Sequence, residues 1–292
     1  MQTLLIIDGH AYAYRAFHAI RELHSPGGGP VNAIFGFIKM LGKLRAFIKP
    51  EALVVVWDGG LSEERLRDLP DYKANRPPMP DSLGKQIDEI QQYLQAAGIT
   101  SICHDGVEAD DYIGSLAVHP DRKDQRVVIA SSDKDFMQLV TDAVGLVNPG
   151  DKVESVWGYE RVMEKAGVAP GQIVDWLSLI GDSVDNIPGV PGVGTKTATA
   201  LLQKFKSLEG IYEGLADVSS ERIRKSLEDH KDAVFRNRTL IQLNTRLELV
   251  PNAALLLGAS KPEELRALFT RWGFRSMLAE LDGQRSVQAE LI

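Results

Sequence analysis

Cysteine is almost missing from this chain, with Cys103 alone among 292 residues. No internal disulfide can form and no second Cys is available for a zinc site, so Cys103, in the apolar stretch SIC, reads as a buried structural thiol. No apolar run reaches the length of a membrane span. The opening MQTLLIIDGH enters a strand-like run at once instead of a basic segment followed by a cleavable apolar one, so a cytoplasmic protein with no membrane partner is expected; a monomer is the expected state. None of the six histidines stands at zinc spacing, and His10 and His18, near Asp8, read as core or surface residues. No Ser or Cys sits in a recognisable nucleophile motif, and long repeats and low-complexity linkers are absent. An excess of positive charge is also lacking: the formal charge is -7, which on its face argues against a phosphate-binding protein.

What the chain does have is carboxylates in informative places. Apolar runs that read as buried strands end in acid three times: TLLIID at Asp8, ALVVVWD at Asp58, and VVIASSDKD at Asp133 and Asp135. Glu108, Asp110 and Asp111 crowd GVEADDYIG at an apparent helix start, and Asp182 and Asp185 repeat a three-residue spacing further on. Any single one of these acids is explained as a helix N-cap. Capping needs one acid per helix, whereas these come in twos and threes, and gathered charges of one sign repel and raise one another's pKa values. A shared oxygen-ligand site for Mg²⁺ or Mn²⁺ accounts for them better. The nine acids also outnumber the net charge, so a nucleic-acid partner stays open.

With 292 residues there is room for one large or two modest domains. Strand-like and helical patterns alternate over roughly the first 150 residues, which predicts an α/β fold with a parallel sheet covered by helices. Helical spacing runs from Asn32 to Ile48 and from Lys85 to Ala97, the latter stopping at Gly98. In such sheets ligands bind beyond the carboxyl ends of the strands, where Asp8, Asp58, Asp133 and Asp135 fall. From about residue 159 short helices take over, with one further strand candidate at Leu247 to Val250 and a non-periodic tail from about Gly283.

Pro170 to Ile180 and Thr195 to Phe205 read as helices flanking IPGVPGVG, Ile187 to Gly194. A nucleotide-binding loop needs Lys directly after the last Gly and a strand before it; here Thr195 precedes Lys196, and a helix comes before. A helix-hairpin-helix fits better: Gly192 and Gly194 let backbone N–H groups approach a nucleic-acid phosphate, and Lys196 adds charge. The stretch EERLRDLPDYKANRPPMP, inserted after Asp58, offers Arg65, Arg67, Lys73 and Arg76 to phosphates and the Tyr72 ring to a base. Its length suits a lid or arch.

Together these segments resemble the 5′ nuclease (flap endonuclease) family, and most closely the 5′-3′ exonuclease domain of bacterial DNA polymerase I. IIDGHAYAYRAFHA, VVVWDG, YKANRPPMP, GVEADDYIG, SSDKDFMQLV and GDSVDNIPGVPGVGTKTA follow in family order over positions 6 to 198. The resemblance implies a PIN/resolvase-like nuclease domain over residues 1–165, with an arch at about 60–85, and a helix-hairpin-helix domain over 166–292. It implies a two-metal nuclease with two or three divalent ions, acting on DNA with a 5′ flap, nick, gap or free 5′ end and on RNA primer–DNA hybrids, and working beside a DNA polymerase in primer removal and repair. Asp8, Asp58, Glu108 and Asp110 match the acids of the first metal; Asp111, Asp133, Asp135, Asp182 and Asp185 match those of the second, with Asp110 near both. Lys73 and Arg76 match the arch cations on the scissile phosphate, Tyr72 the ring near the unpaired nucleotide, and Arg15 a phosphate contact. Backbone carbonyls of Val190 and Val193 match a K⁺ site in the hairpin. The chain carries no polymerase portion, so a stand-alone nuclease and a piece of a longer protein both satisfy it. A ribonuclease on the same acidic fold and a catalytically silent junction-binding module are the competing readings. A calcium-buffering protein or small-phosphate hydrolase leaves the hairpin unexplained.

Overall fold

Short runs of β-branched and aliphatic residues form the strands, and amphipathic segments between them form the helices. The computed structural model describes residues 2–122, 124–151 and 155–290. In chain order the strands are β1 (Thr3–Asp8), β2 (Ala52–Trp57), β3 (Thr100–Cys103), β4 (Arg126–Ala130), β5 (Val144–Val147), β6 (Gly181–Asp182) and β7 (Ile187–Pro188). The helices are α1 (Gly9–Ala19), α2 (Asn32–Ile48), α3 (Glu63–Asp68), α4 (Asp81–Ala96), α5 (Ala109–Val118), α6 (Tyr159–Ala166), α7 (Ile173–Ile180), α8 (Thr195–Phe205), α9 (Leu208–Glu213), α10 (Glu221–Asp229), α11 (Lys231–Ile241), α12 (Pro262–Trp272) and α13 (Arg275–Glu290). The chain divides into two compact units, one of Met1–Trp57, Met79–Cys103 and Val250–Ile292, the other of Asp58–Pro78 and His104–Leu249.

In the first unit β3, β2 and β1 lie side by side and parallel, with Leu4 opposite Ala52 and Val54 opposite Thr100. Leu4 to Ile7 and Leu53 to Val56 are all buried, as parallel strands covered on both faces must be. Asp8 closes β1 and caps α1, accepting from Ala11 N–H at 3.0 Å. The start of α2 has no capping side chain of its own. Gln86 of α4 supplies one, its Oε1 accepting from Ala33 N–H at 2.8 Å while Asn32 Nδ2 donates to the carbonyls of Phe17 and Ile20.

The second unit holds the parallel pair β4–β5 and most of the short helices. β6 and β7 form a two-residue antiparallel hairpin, Asp182 opposite Ile187. Two glycines make it possible: a Cβ on Gly181 (φ +77°) would lie 2.3 Å from Gly189 N, and one on Gly189 would lie 2.2 Å from Ile180 O. Side chains cannot enter there, so the loop carrying Asp182 and Asp185 is pressed against the end of α7. Buried Asn237 of α11 pins the same loop, its Nδ2 donating to Pro188 O at 2.7 Å and Ser178 O at 3.2 Å.

Several expectations are corrected. Cys103 is exposed: β3 is a half-covered edge strand on which alternate residues face outward, and Cys103 is one of them. Leu247–Val250 forms no strand. The non-periodic tail is instead helical to Glu290, because GQRSVQAE is composed largely of helix-compatible residues even without an apolar stripe. α4 begins at Asp81, directly after Pro80, and the Pro170 end of the first hairpin helix is a 3₁₀ turn that leads into α7.

Candidate metal and nucleic-acid site

The second unit gathers acids from four segments. Asp58, directly after β2, accepts from Ala109 N–H at 3.3 Å, so it caps α5 and lies beside the acids of that helix start. Glu108, Asp110 and Asp111 occupy the N-cap and first turn of α5. Asp133 and Asp135 follow β4, where Asp133 accepts from Asp135 N–H at 2.9 Å. Asp182 and Asp185 stand on the glycine-braced loop. Carboxylate oxygens of Asp135, Asp182 and Asp185 lie within 4.8 Å of one another. Asp135 Oδ1 is fully buried and has no hydrogen-bond partner, an arrangement that costs free energy unless a cation is there to accept its lone pairs. The donor set is all carboxylate oxygen, which suits a hard divalent ion. Asp8 belongs to the first unit, buried at the end of β1.

Electrostatics within the group are divided. Burial pushes the Asp133 and Asp135 carboxyls above the ordinary carboxylate range, Asp135 strongly, and neighbouring acids push the same way: Asp185 and Asp182 on Asp133, Asp133 and Asp182 on Asp135. Burial also acts to raise Glu108, but Lys73 and Arg65 outweigh it and hold its pKa below the usual value. Desolvation opposes the charge of Lys73, while Asp110, Glu108 and Asp185 overcome that and keep it a firm cation.

Those cations come from the arch segment. Lys73 is 5% exposed, hydrogen-bonded to Glu108 Oε2, with Asp110 and Asp185 at 3.8 and 3.9 Å. Its backbone takes φ +56°, and its N–H donates to Asp185 O at 3.0 Å. Arg76 Nη2 donates to Asp185 Oδ1 at 2.6 Å. Tyr72, expected as an open ring for a base, is 4% exposed, and its hydroxyl lies between two acceptors, 3.1 Å from Glu108 Oε2 and 3.3 Å from Asp185 Oδ2. Asn186 Nδ2 donates to Asp71 O at 2.8 Å and Asn75 Nδ2 to Asn186 Oδ1 at 2.7 Å. The arch turn is thus clasped onto the loop that holds Asp182 and Asp185. Arg67 is exposed, whereas Arg65 points inward against Glu108 and Asp111. Sequence reading also missed Lys134, whose Nζ is 3.2 Å from Asp182, although its place between two metal-type acids was a usable signal.

In the hairpin region, Gly192 turns at φ +82° and Val193 N–H donates to the Val190 carbonyl at 3.0 Å, while both valine side chains are buried. Gly194 caps α8 without a side chain, and Lys196 in its first turn is exposed. Arg222 of α10 was not anticipated: a Cβ on Gly192 would meet its guanidinium at 3.5 Å, and Ser226 Oγ donates to Pro191 O at 2.8 Å, so α10 flanks the hairpin with a second cation. Arg15 is exposed on α1 in the first unit.

Two family models cover this arrangement: the 5′-3′ exonuclease N-terminal resolvase-like domain over residues 3–167 and the 5′-3′ exonuclease C-terminal SAM fold over residues 168–262. The chain belongs to the 5′-3′ exonuclease family. A 5′-3′ exonuclease of Aquifex aeolicus is 38% identical over 97% of this chain and 96% of its own length. DNA polymerase I of Pseudomonas aeruginosa is 39% identical over 95% of this chain, which spans only 31% of that polymerase. Among solved structures, a T5 5′-exonuclease described as having divalent zinc ions bound matches with a TM-score of 0.67 at 26% identity, over 84% of this chain and 90% of that one. The catalytic core of Rad2, solved in complex with a DNA substrate, shares the fold at a TM-score of 0.65 and 18% identity, over 93% of this chain and 88% of that one. The α/β fold with parallel strands and a helical C-terminal portion, read from the sequence, is the fold of this family, and nuclease activity comes with it. Among the described residues no helix is long and apolar enough to cross a membrane.

Proposed function

We propose that the protein is a Mg²⁺- or Mn²⁺-dependent 5′-3′ exonuclease and flap endonuclease that hydrolyses DNA phosphodiesters at 5′ flaps, nicks, gaps and free 5′ ends. The observation that carries this reading is the cluster of Asp135, Asp182 and Asp185 around a buried, partnerless carboxylate oxygen, directly beside Arg76 and Lys73. Asp133, Asp135, Asp182 and Asp185 would hold one ion, and Asp58 and Asp110 another, which Glu108 would join when Lys73 and Tyr72 leave its Oε2. Asp8 and Arg15 keep the ligand and phosphate-contact roles that the family resemblance implies for them. When bound, such ions supply water activation and charge neutralisation at the leaving 3′ oxygen.

The chain's own residues orient the substrate. Lys73 and Arg76 bring fixed positive charge to where a phosphodiester develops negative charge, and their present partners Glu108 and Asp185 keep them aimed at the acids. Gly192, Gly194 and Lys196, with Arg222 beside them, offer backbone N–H groups and charge to duplex phosphates away from the reacting bond, and the Val190 and Val193 carbonyls remain the candidates for K⁺. Tyr72 reaches a base only if the arch lifts it from Glu108. A nuclease domain over residues 1–165, a DNA-gripping domain beyond it, cytoplasmic work as a monomer beside a DNA polymerase and action on RNA primers belong to the same proposal.

The test is a 5′-labelled flap duplex cut with and without Mg²⁺ by wild type and Lys73→Ala. Magnesium-dependent cutting at the flap base, slowed in the variant, supports the reading. Tight flap binding with no cutting in Mg²⁺ or Mn²⁺ replaces it with a silent junction-binding module.

A further inference from the structure

Arg65 is 7% exposed, and its guanidinium makes four hydrogen bonds and a further ion pair. Nη1 and Nη2 each lie 2.8 Å from an oxygen of Asp111, forming a paired fork. Nη1 also reaches Glu108 Oε1 at 3.1 Å, Nε donates to Leu240 O at 2.8 Å, and Nη2 to Gln242 O at 3.3 Å. Asp111 is used up in the same way: Oδ2 accepts from Arg65, and Oδ1 accepts from Arg65 and from Asn244 N–H at 2.9 Å. Asp111 is not part of the cluster formed by Asp135, Asp182 and Asp185.

We infer that Asp111 is not a metal ligand but the anchor of Arg65, and that Arg65 is a positioning residue joining the root of the arch, the acidic start of α5 and the strap after α11. This refines the reading proposed above and rests on it. A carboxylate with a planar guanidinium across both oxygens and a backbone N–H on one of them has little lone-pair capacity left for an ion. The same guanidinium fixes Glu108, and Ser62 N–H, at the arch root, donates to that Glu108 oxygen at 3.0 Å. Setting the arch helix against the acids is therefore a function of this fork, and lysine, with one rotating ammonium, cannot reproduce it.

The experiment counts bound Mn²⁺ by electron paramagnetic resonance in the full chain and measures single-turnover flap cleavage alongside. Asp111→Asn should bind as many ions as wild type, whereas Asp135→Asn should lose one or weaken it at least as much as the roughly 10- to 100-fold typical of losing even an outer partner. Arg65→Gln, Asp111→Asn and the double variant should slow cleavage non-additively, the double being no slower than Arg65→Gln alone, and Arg65→Lys should not rescue. A lowered Mn²⁺ count in Asp111→Asn, or independent multiplying effects, overturns the inference. An unchanged count in Asp135→Asn would instead overturn the metal reading beneath it. Asp111→Asn keeps the shape and the Asn244 bond, so the ion count decides even if Arg65→Gln does not fold.

Discussion

Glu108 and Asp135 are both acids of the second unit, yet their surroundings differ in kind. Glu108 receives Ser62 N–H, Arg65, Tyr72 and Lys73 on its two oxygens. Asp135 has acids for neighbours and one oxygen with nothing. On the arch side, the chain supplies its own cations to Glu108; in the cluster of Asp135, Lys134 bonds Asp182 and Arg76 bonds Asp185, while Asp135 Oδ1 has no hydrogen-bond partner. Carboxylates of the same sequence type thus differ in what the chain itself brings to them: Glu108 meets protein donors on both oxygens, whereas Asp135 Oδ1 meets none.

The contrast can be broken or sharpened by substitution and by pH. The largest concerns Asp135→Asn, which should cut flap cleavage by about a thousandfold or more, the scale of losing a preorganised electrostatic group, while leaving flap binding measurable by fluorescence anisotropy. In metal-free buffer the same variant should melt higher than wild type, because a repelling buried charge is gone. Lys73→Ala should slow single-turnover cleavage about 100-fold. Arg65→Met leaves Asp111 buried without its partner, and urea unfolding should show a loss of about 3–5 kcal/mol.

The pH dependence follows from the opposite shifts. Asp133 and Asp135 have raised pKa values in the folded state, so the folded protein holds their protons more tightly than the unfolded chain does. Their ionisation is destabilising: in chelator, thermal stability should fall as pH rises above the unfolded Asp value of about 3.9, and saturating Mg²⁺ should flatten that trend. Glu108 is shifted down, so its contribution is present above about 4.3 and disappears as pH drops below it. The smallest effect belongs to the hairpin: Lys196→Ala should weaken duplex binding uniformly and reduce the salt slope by about 1.

Much of this is legible in the sequence. The runs ending at Asp8 and Asp58 are strands because uninterrupted β-branched residues need burial on both faces, and Asn32–Ile48 is a helix at the residues its spacing marks. The acids were legible as a group because caps do not come in threes. Direction within the arch was not legible: Arg65 and Arg67 are alike in sequence, and only the fold shows that the former turns inward to Asp111. Tyr72 was read as an open ring because an aromatic between cations commonly faces a ligand; here it is buried by its hydroxyl's bonds to two acids. Arg222 lies 30 residues beyond Gly192, a separation at which no periodicity connects a cation to a turn.

Asp135, Asp182 and Asp185 are expected to hold a divalent ion, and the decisive measurement is Mn²⁺ anomalous diffraction from crystals of the full chain. A peak in direct contact with carboxylate oxygens of those three residues is the predicted result; at saturating Mn²⁺, a cluster without a peak and with Asp135 Oδ1 taken by a protein donor would contradict it.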